Sequence, residues 1–213
     1  MNKVKVLQVH TMSVLYGSGQ AVLLMMQGLR AAGYDVALAC SAEPGPLPAA
    51  AEKQGFKVHR IRNLSRQINP YKDIKAIVEV ASVLKKEGYA IVHTHNSKAG
   101  IIGRIAGKLA GTPVILHTIR GFTALQGRPF WLKPFLYVLK KIVSIWSYKI
   151  ICISEAVKKW ALSLHLTNPG KFEVLYSAID ETRFLKEKGC DADLMHKFGV
   201  GKDDVVICQI SKL

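Results

Sequence analysis

Short apolar runs alternate with helical patterns along most of the chain. Val4–Val9, Asp35–Cys40, Lys57–Ile61, Ala90–His93, Val114–Thr118, Lys149–Ile153 and Phe172–Tyr176 read as strands. Between them, helical patterns cover Gln20–Ala32, Leu47–Gln54, Ala99–Ala110 and Glu155–Leu164. A further helix is marked by Asn69 as N-cap, Pro70 at its first position and Asp73 in its first turn, with Gly88 as its stop. Ile74, Ile77, Val78, Ala81 and Leu84 have the spacing of its buried stripe. Leu132, Phe135, Leu136, Leu139, Ile142, Val143 and Trp146 predict a long amphipathic helix. The strand runs are apolar throughout rather than alternating, which fits strands covered on both faces. Strands separated by helices predict βαβ units: an α/β fold with a doubly wound, Rossmann-like parallel sheet over residues 1–180.

Past Asp180 the pattern changes. Glu181–Asp204 is polar and mixed, and Val205–Ile210 reads as a new strand. Residues 181–213 are therefore expected to be a linker and the first strand of a second, truncated domain. The longest stretch without a charge, Val6–Leu29, is interrupted by polar residues and glycines, so it predicts no membrane span. The start lacks the apolar core and cleavage site of a signal peptide, which predicts a cytoplasmic protein. Cys40, Cys152, Cys190 and Cys208 form no C-x-x-C pair and are read as reduced, with no zinc site.

Charge adds the first hint of a partner. The chain carries 30 Lys+Arg against 15 Asp+Glu, a formal net charge of +15. Such an excess favours anionic partners. Between Arg120 and Trp160 basic residues mix with Phe130, Trp131, Phe135, Tyr137, Trp146 and Tyr148. That mixture suits an anionic lipid surface, with Trp131, Lys133, Tyr137, Lys140 and Lys141 as the membrane-facing residues. It also suits single-stranded nucleic acid, and an ordinary solvated basic face has the same composition.

In open parallel sheets, ligands bind beyond the carboxyl ends of the strands. Here that selects His10–Gly19, His95–Gly100, Thr118–Phe122, Ser154-Glu155 and Ser177–Asp180. Gly17-Ser18-Gly19-Gln20 lies where a glycine turn and a helix N-terminus suit a phosphate. A nicotinamide cofactor is disfavoured, because Val22 stands at the third glycine position of G-x-G-x-x-G and the second strand ends without an acid. Ser97 and Ser154 are expected to cap helices as well as meet ligand. A metal at His93 and His95 would need a third ligand that nothing in the spacing supplies.

These segments resemble the N-terminal domain of the retaining glycosyltransferases of family four, which have the two-domain GT-B fold. The likeness lies in Gly17-Ser18-Gly19 with the helix and strand after it. It continues in Tyr89–Gly100, which is similar to "D-x-V-H-x-H-x-x-K-A-G", and in Pro113–Gly121. Ile150–Glu155 resembles "V-I-A-V-S-E", and Val174–Asp180 with Phe184 resembles "V-I-x-N-G-V-D-x-x-x-F". The resemblance implies transfer of a sugar from a nucleotide-sugar donor to an acceptor, with retention and no bound metal or other cofactor. It places the acceptor on this domain and the donor mainly on a missing C-terminal one, so the chain alone is expected to be inactive. It implies a lipid-linked or lipopolysaccharide-type acceptor, a peripheral position on the inner face of the cytoplasmic membrane, and no nucleic acid. Arg120 stands where the family commonly has histidine and is the catalytic candidate. Gly17, Ser18, Gly19, Gln20, His95, Ser97, Lys98, Gly121, Ser154, Glu155 and Lys212 are the candidates for substrate and phosphate binding. A non-catalytic module for an anionic surface is the alternative.

Overall fold

The computed structural model describes residues 3–121, 129–181, 192–199, 201 and 204. The chain divides into two compact units, Met1–Ile179 and Asp180–Leu213. In the first, seven parallel strands form one sheet: β1 (Lys5–Val9), β2 (Asp35–Ser41), β3 (Lys57–Ile61), β4 (Ile91–His95), β5 (Val114–Ile119), β6 (Lys149–Cys152) and β7 (Phe172–Val174). Their spatial order is β3-β2-β1-β4-β5-β6-β7. The order reverses between β1 and β4, so the loops leaving these two strands diverge to opposite sides and open a crevice.

The helices are α1 (Gly17–Ala31), α2 (Pro46–Lys53), α3 (Pro70–Glu87), α4 (Ser97–Ala110), α5 (Lys133–Trp146) and α6 (Glu155–Ser163). Helices α1 and α2 pack on one face through Val22, Met26, Leu47 and Ala51, against Val6, Val36 and Leu38. Helices α3 and α4 cover the opposite face through Ala76, Val80, Leu84, Ile102 and Ala106, against Leu7, Val9 and Val92. The buried free thiol of Cys40 belongs to the first of these clusters and that of Cys152 to a third, with Ile150, Val157, Ala161 and Phe172; burial pushes each thiol up to about 11. In the second unit, Ala192–Lys197 forms a helix, α7. The predicted strand Val205–Ile210 and Lys212 lie outside the described residues.

The predicted caps of α3 are present: Asn69 Oδ1 accepts from the Lys72 amide at 3.1 Å, and Gly88 ends the helix at φ 70°. Its buried stripe differs from the expected one. Ala76, Val80 and Leu84 face inward, while Ile74 and Val78 are exposed. Ile77 and Ala81 of the expected stripe pack, partly buried, against the same core.

A second difference changes the site. Helix α1 starts at Gly17 rather than Gln20. The glycine segment is the first turn of a helix and not a loop. Gly19 is buried, and a Cβ there would stand 2.5 Å from the Val14 carbonyl oxygen. Gly17 is exposed, with nothing within 4 Å of an added Cβ. Gly19 is thus required by packing, and Gly17 is the glycine that leaves backbone open to a ligand. Gly19→Ala is expected to destabilise the chain by about 1–3 kcal/mol, the cost of overpacking against atoms that cannot move. Gly17→Ala is expected to leave the urea midpoint unchanged. Equal midpoints for both variants would refute this division of roles.

Candidate functional site

Strand β1 carries Gln8 into the interior and His10 follows its last residue; both are fully buried. The His10 ring holds the crevice together. Nδ1 donates to the Met12 carbonyl at 2.9 Å. Nε2 therefore accepts, from the Asn96 amide at 3.0 Å and from the Ser18 hydroxyl at 3.2 Å. One imidazole ties the start of α1 to the start of α4. Thr11 adds a second tie, its Oγ1 accepting from the Ala99 amide at 3.0 Å. Asn96 is the N-cap residue of α4, at φ 67° and ψ 160°, and its side chain makes no capping hydrogen bond but reaches His10 instead. Ser97 is therefore the first residue of α4 and not its cap, whereas Ser154 does cap α6 by accepting from the Val157 amide at 3.2 Å.

Next to this joint, the ends of β4 and β5 form a buried polar layer. His95 Nε2 donates to Gln8 Oε1 at 2.6 Å, which leaves Nδ1 to face Arg120 Nη2 at 3.4 Å. His93 meets Thr118 Oγ1 at 2.7 Å. Thr94 donates to the Leu116 carbonyl, and its hydroxyl oxygen accepts from His117 Nδ1 at 2.9 Å. Burial keeps these imidazoles neutral. It lowers His10, carries His93 down to about 3 and puts His95 and His117 well below the usual range. The Arg120 charge adds to the effect on His10, His93 and His95, and the Arg104 charge to that on His117. A layer of neutral rings thus sits beneath a partly buried cation.

Arg120 is that cation. Its Nε is buried with no hydrogen-bond partner among the described residues, and burial lowers its pKa. Its side chain lines a cavity on each side. One, of about 210 Å³, is formed with Leu24, Tyr176 and Ser177. The other, of about 280 Å³, lies toward α4, α5 and α6. A guanidinium fixed from beneath by His95, with an unused donor, is prepared for an anionic ligand.

The remaining candidates separate. Gly17, Ser18 and Gln20 form the open first turn of α1, where backbone N–H groups and the helix dipole favour an anion. Ser18 joins the crevice through His10, and Gly121 follows Arg120 directly. His95 is 0 % exposed and acts by holding Arg120 rather than by touching a ligand. Lys98 turns away from the crevice to α3, pairing with Asp73 at 2.7 Å and bonding the Gln67 carbonyl. Glu155 is an exposed acid in the first turn of α6, where the helix dipole already accounts for it.

Helix α5 requires a correction. Lys140 was expected to face a membrane, but it is 8 % exposed and lines the larger cavity. Tyr137 also turns inward, its hydroxyl donating to the Leu164 carbonyl at 2.9 Å. The reason lies in α4. Arg104 is buried opposite and draws Ser144 and Ser147 inward, so the polar side of α5 packs on the domain. Trp131, Lys133 and Lys141 are exposed as expected. Gln8, Asn96 and Arg104 were not among the sequence candidates. Gln8 and Arg104 do carry a signal, being isolated polar residues in apolar runs of a strand and a helix.

Comparison with known proteins agrees with this arrangement. Residues 16–176 match the glycosyl transferase 4-like domain. The chain is 30% identical over 215 aligned residues to the Escherichia coli UDP-Gal:alpha-D-GlcNAc-diphosphoundecaprenol alpha-1,3-galactosyltransferase, covering 100% of this chain and 54% of that protein. Over 114 residues it is 30% identical to the Staphylococcus aureus capsular polysaccharide biosynthesis glycosyltransferase CapM, covering 53% of this chain and 29% of that one. Among solved structures, a glycosyltransferase from Rickettsia africae superposes with a TM-score of 0.66 at 20% identity, over 95% of this chain and 51% of its own. The chain thus spans about half the length of the proteins it matches end to end. The family match over residues 16–176 makes the chain a member of the glycosyl transferase 4-like domain family, with the fold of the N-terminal half of GT-B enzymes.

Proposed function

We propose that this chain is the acceptor-binding half of a retaining glycosyltransferase that moves a sugar from a nucleotide-sugar donor to a lipid-linked acceptor in surface-polysaccharide or lipopolysaccharide assembly. The observation that carries the reading is the convergence of the α1 N-terminus, His10, Asn96 and the His95-held Arg120 at the crevice between β1 and β4. Departure of a nucleoside diphosphate develops negative charge on phosphate oxygens. Preoriented donors aimed at that charge are a large source of rate. Arg120 and the free amides at Gly17 supply them here, and the rest of the donor site, with Lys212, belongs to a further domain.

The test is transfer. The chain alone is expected to release no nucleotide from UDP-galactose in the presence of a GlcNAc-diphosphoprenol. Joined to the C-terminal half of the Escherichia coli relative, it is expected to transfer a sugar from at least one nucleotide sugar, with the anomeric configuration of the product equal to that of the donor. Turnover by the chain alone, or an inverted product, would count against the proposal.

A membrane position is part of the same reading. Trp131, Phe135, Val138, Ile142 and Ile145 form an exposed apolar stripe along α5 and the turn before it, flanked by Lys133 and Lys141. No helix among the described residues is long and apolar enough to cross a membrane. An exposed stripe of this kind marks an interaction surface, and its basic flanks suit anionic headgroups. The chain is expected to float with phosphatidylglycerol-containing vesicles. Phe135→Glu with Ile142→Glu should abolish flotation, while Lys133→Glu should weaken it about fivefold, the equivalent of about 1 kcal/mol. Flotation unaffected by the double variant would exclude α5 as the membrane face.

A further inference from the structure

Beneath the crevice, on the α4–α5–α6 side of the sheet, the cavity of about 280 Å³ has a lining that ordinary packing does not explain. Arg104 enters from α4, Lys140 and Ser144 from α5, and Arg120 from the end of β5; Trp160 of α6 closes one side. Arg104 is 3 % exposed. Its Nε donates to the Gly100 carbonyl at 2.6 Å and its Nη1 to the hydroxyls of Ser144 and Ser147, at 3.2 and 3.4 Å. These partners are all neutral.

Acids are missing from the sequence around the cavity as well. No Asp or Glu occurs between Glu87 and Glu155, a stretch that includes β4, α4, β5, α5, β6 and the residues between β5 and α5. A buried charge is normally paired, because removing an ion from water costs several kcal/mol. Burial lowers Arg104 only to about 9, so it stays charged at neutral pH. The nearest imidazole, His117, is held neutral and cannot take an opposing charge. Among the described residues, the lining of this one small space brings three cations and no carboxylate.

We propose that this cavity binds a phosphoryl head group, a phosphate or diphosphate ester, with Arg104 and Lys140 as its principal contacts and Arg120 at its opening to the crevice. The volume is near the lower end of ligand pockets, about 300 Å³, which suits one or two phosphoryl groups rather than a whole nucleotide sugar. The opposite face of α5 carries the exposed apolar stripe, so a phosphoryl group held by Lys140 lies one helix thickness from the proposed membrane surface. This favours the diphosphate of a lipid-linked acceptor over that of the donor. The proposal rests on the glycosyltransferase reading for the identity of its ligand, though not for the existence of the site.

Isothermal titration of the 213-residue chain with pyrophosphate, farnesyl diphosphate and UDP tests it. Pyrophosphate and farnesyl diphosphate are expected to bind, and Arg104→Met and Lys140→Met should each weaken both at least tenfold. Lys140→Met preserves side-chain length, so it keeps the test usable where loss of Arg104 impairs folding. Circular dichroism confirms the fold of each variant. A matching tenfold loss for UDP, without one for farnesyl diphosphate, would assign the same phosphoryl site to the donor. Binding of pyrophosphate and farnesyl diphosphate that is absent, or unchanged in folded Lys140→Met and Arg104→Met, would overturn the proposal. Because pyrophosphate binding requires no sugar transfer, an inactive chimera with an intact pyrophosphate response would refute the glycosyltransferase reading and leave the cavity standing.

Discussion

Lowering the pH from 7 to 4 is expected to unfold this protein cooperatively, with a midpoint one to two units below the ordinary histidine value of about 6.5. The cause is the layer of His10, His93, His95 and His117. Each is held neutral by burial in the folded state, His93 down to about 3. In the unfolded chain all four take up protons as the pH falls through about 6.5. Stability is therefore undiminished above that value and is lost below it, because the unfolded state binds protons that the native state refuses. Each histidine that stays neutral contributes about 1.4 kcal/mol per pH unit, so the three held lowest, His93, His95 and His117, together give about 4 kcal/mol per unit. A total stability near the lower end of the usual range of about 5–15 kcal/mol is exhausted within one to two pH units. Tryptophan fluorescence against pH measures this. His93→Asn should flatten the slope by about 1.4 kcal/mol per unit. A protein still folded at pH 3.5 would mean that these rings are protonated in place and that the buried layer is wrongly described.

Arg120 is the second residue with a large expected effect, this time on chemistry. In the active chimera, Arg120→Met should lower kcat about 10²–10³-fold, the usual result of removing one preoriented donor. KM for the nucleotide sugar should change less, since the interaction is strongest when charge has developed on the leaving group. Folding should not suffer. The guanidinium has a buried Nε without a partner, and its loss removes a desolvated charge. Arg120→Lys should recover part of the rate, since it restores charge without the planar donor set. His95→Asn should act through Arg120, with a smaller fall in kcat and no added loss in the Arg120→Met background. An Arg120→Met chimera with unaltered kcat would remove Arg120 from the reaction.

Much of the fold was legible because its signals are local. Strand runs apolar throughout mark a sheet covered on both faces, and Asn69, Pro70 and Gly88 mark the ends of α3 without reference to the rest of the chain. The gathering of the strand ends into one crevice follows from the βα alternation itself. What escaped depends on contacts between distant segments. Nothing near Gly19 in the sequence shows that the Val14 carbonyl occupies the space of a side chain. Lys98 belongs to a segment that resembles a ligand-binding motif, yet Asp73 on the neighbouring helix takes its charge.

Helix α5 shows the same limit most clearly. The usual rule puts the apolar face of an amphipathic helix inward. Here Lys140, Val143, Ser144 and Ser147 are buried, while Phe135, Val138 and Ile145 are exposed. The rule fails because Arg104 occupies the opposing surface, and its hydrogen-bonding needs select the polar face of α5. That inversion leaves an apolar stripe outside and a cationic cavity inside, and both suit an acceptor that combines a lipid with a phosphate.

Photo-crosslinking with a benzophenone-tagged GlcNAc-diphosphoprenol, followed by peptide mapping, tests the acceptor assignment most directly. The account predicts labelling of residues 10–20, 96–97 and 118–121, with the prenyl tag on α5. Labelling concentrated at the opposite end of the strands, around Lys3, Lys57 and Glu87, would contradict it.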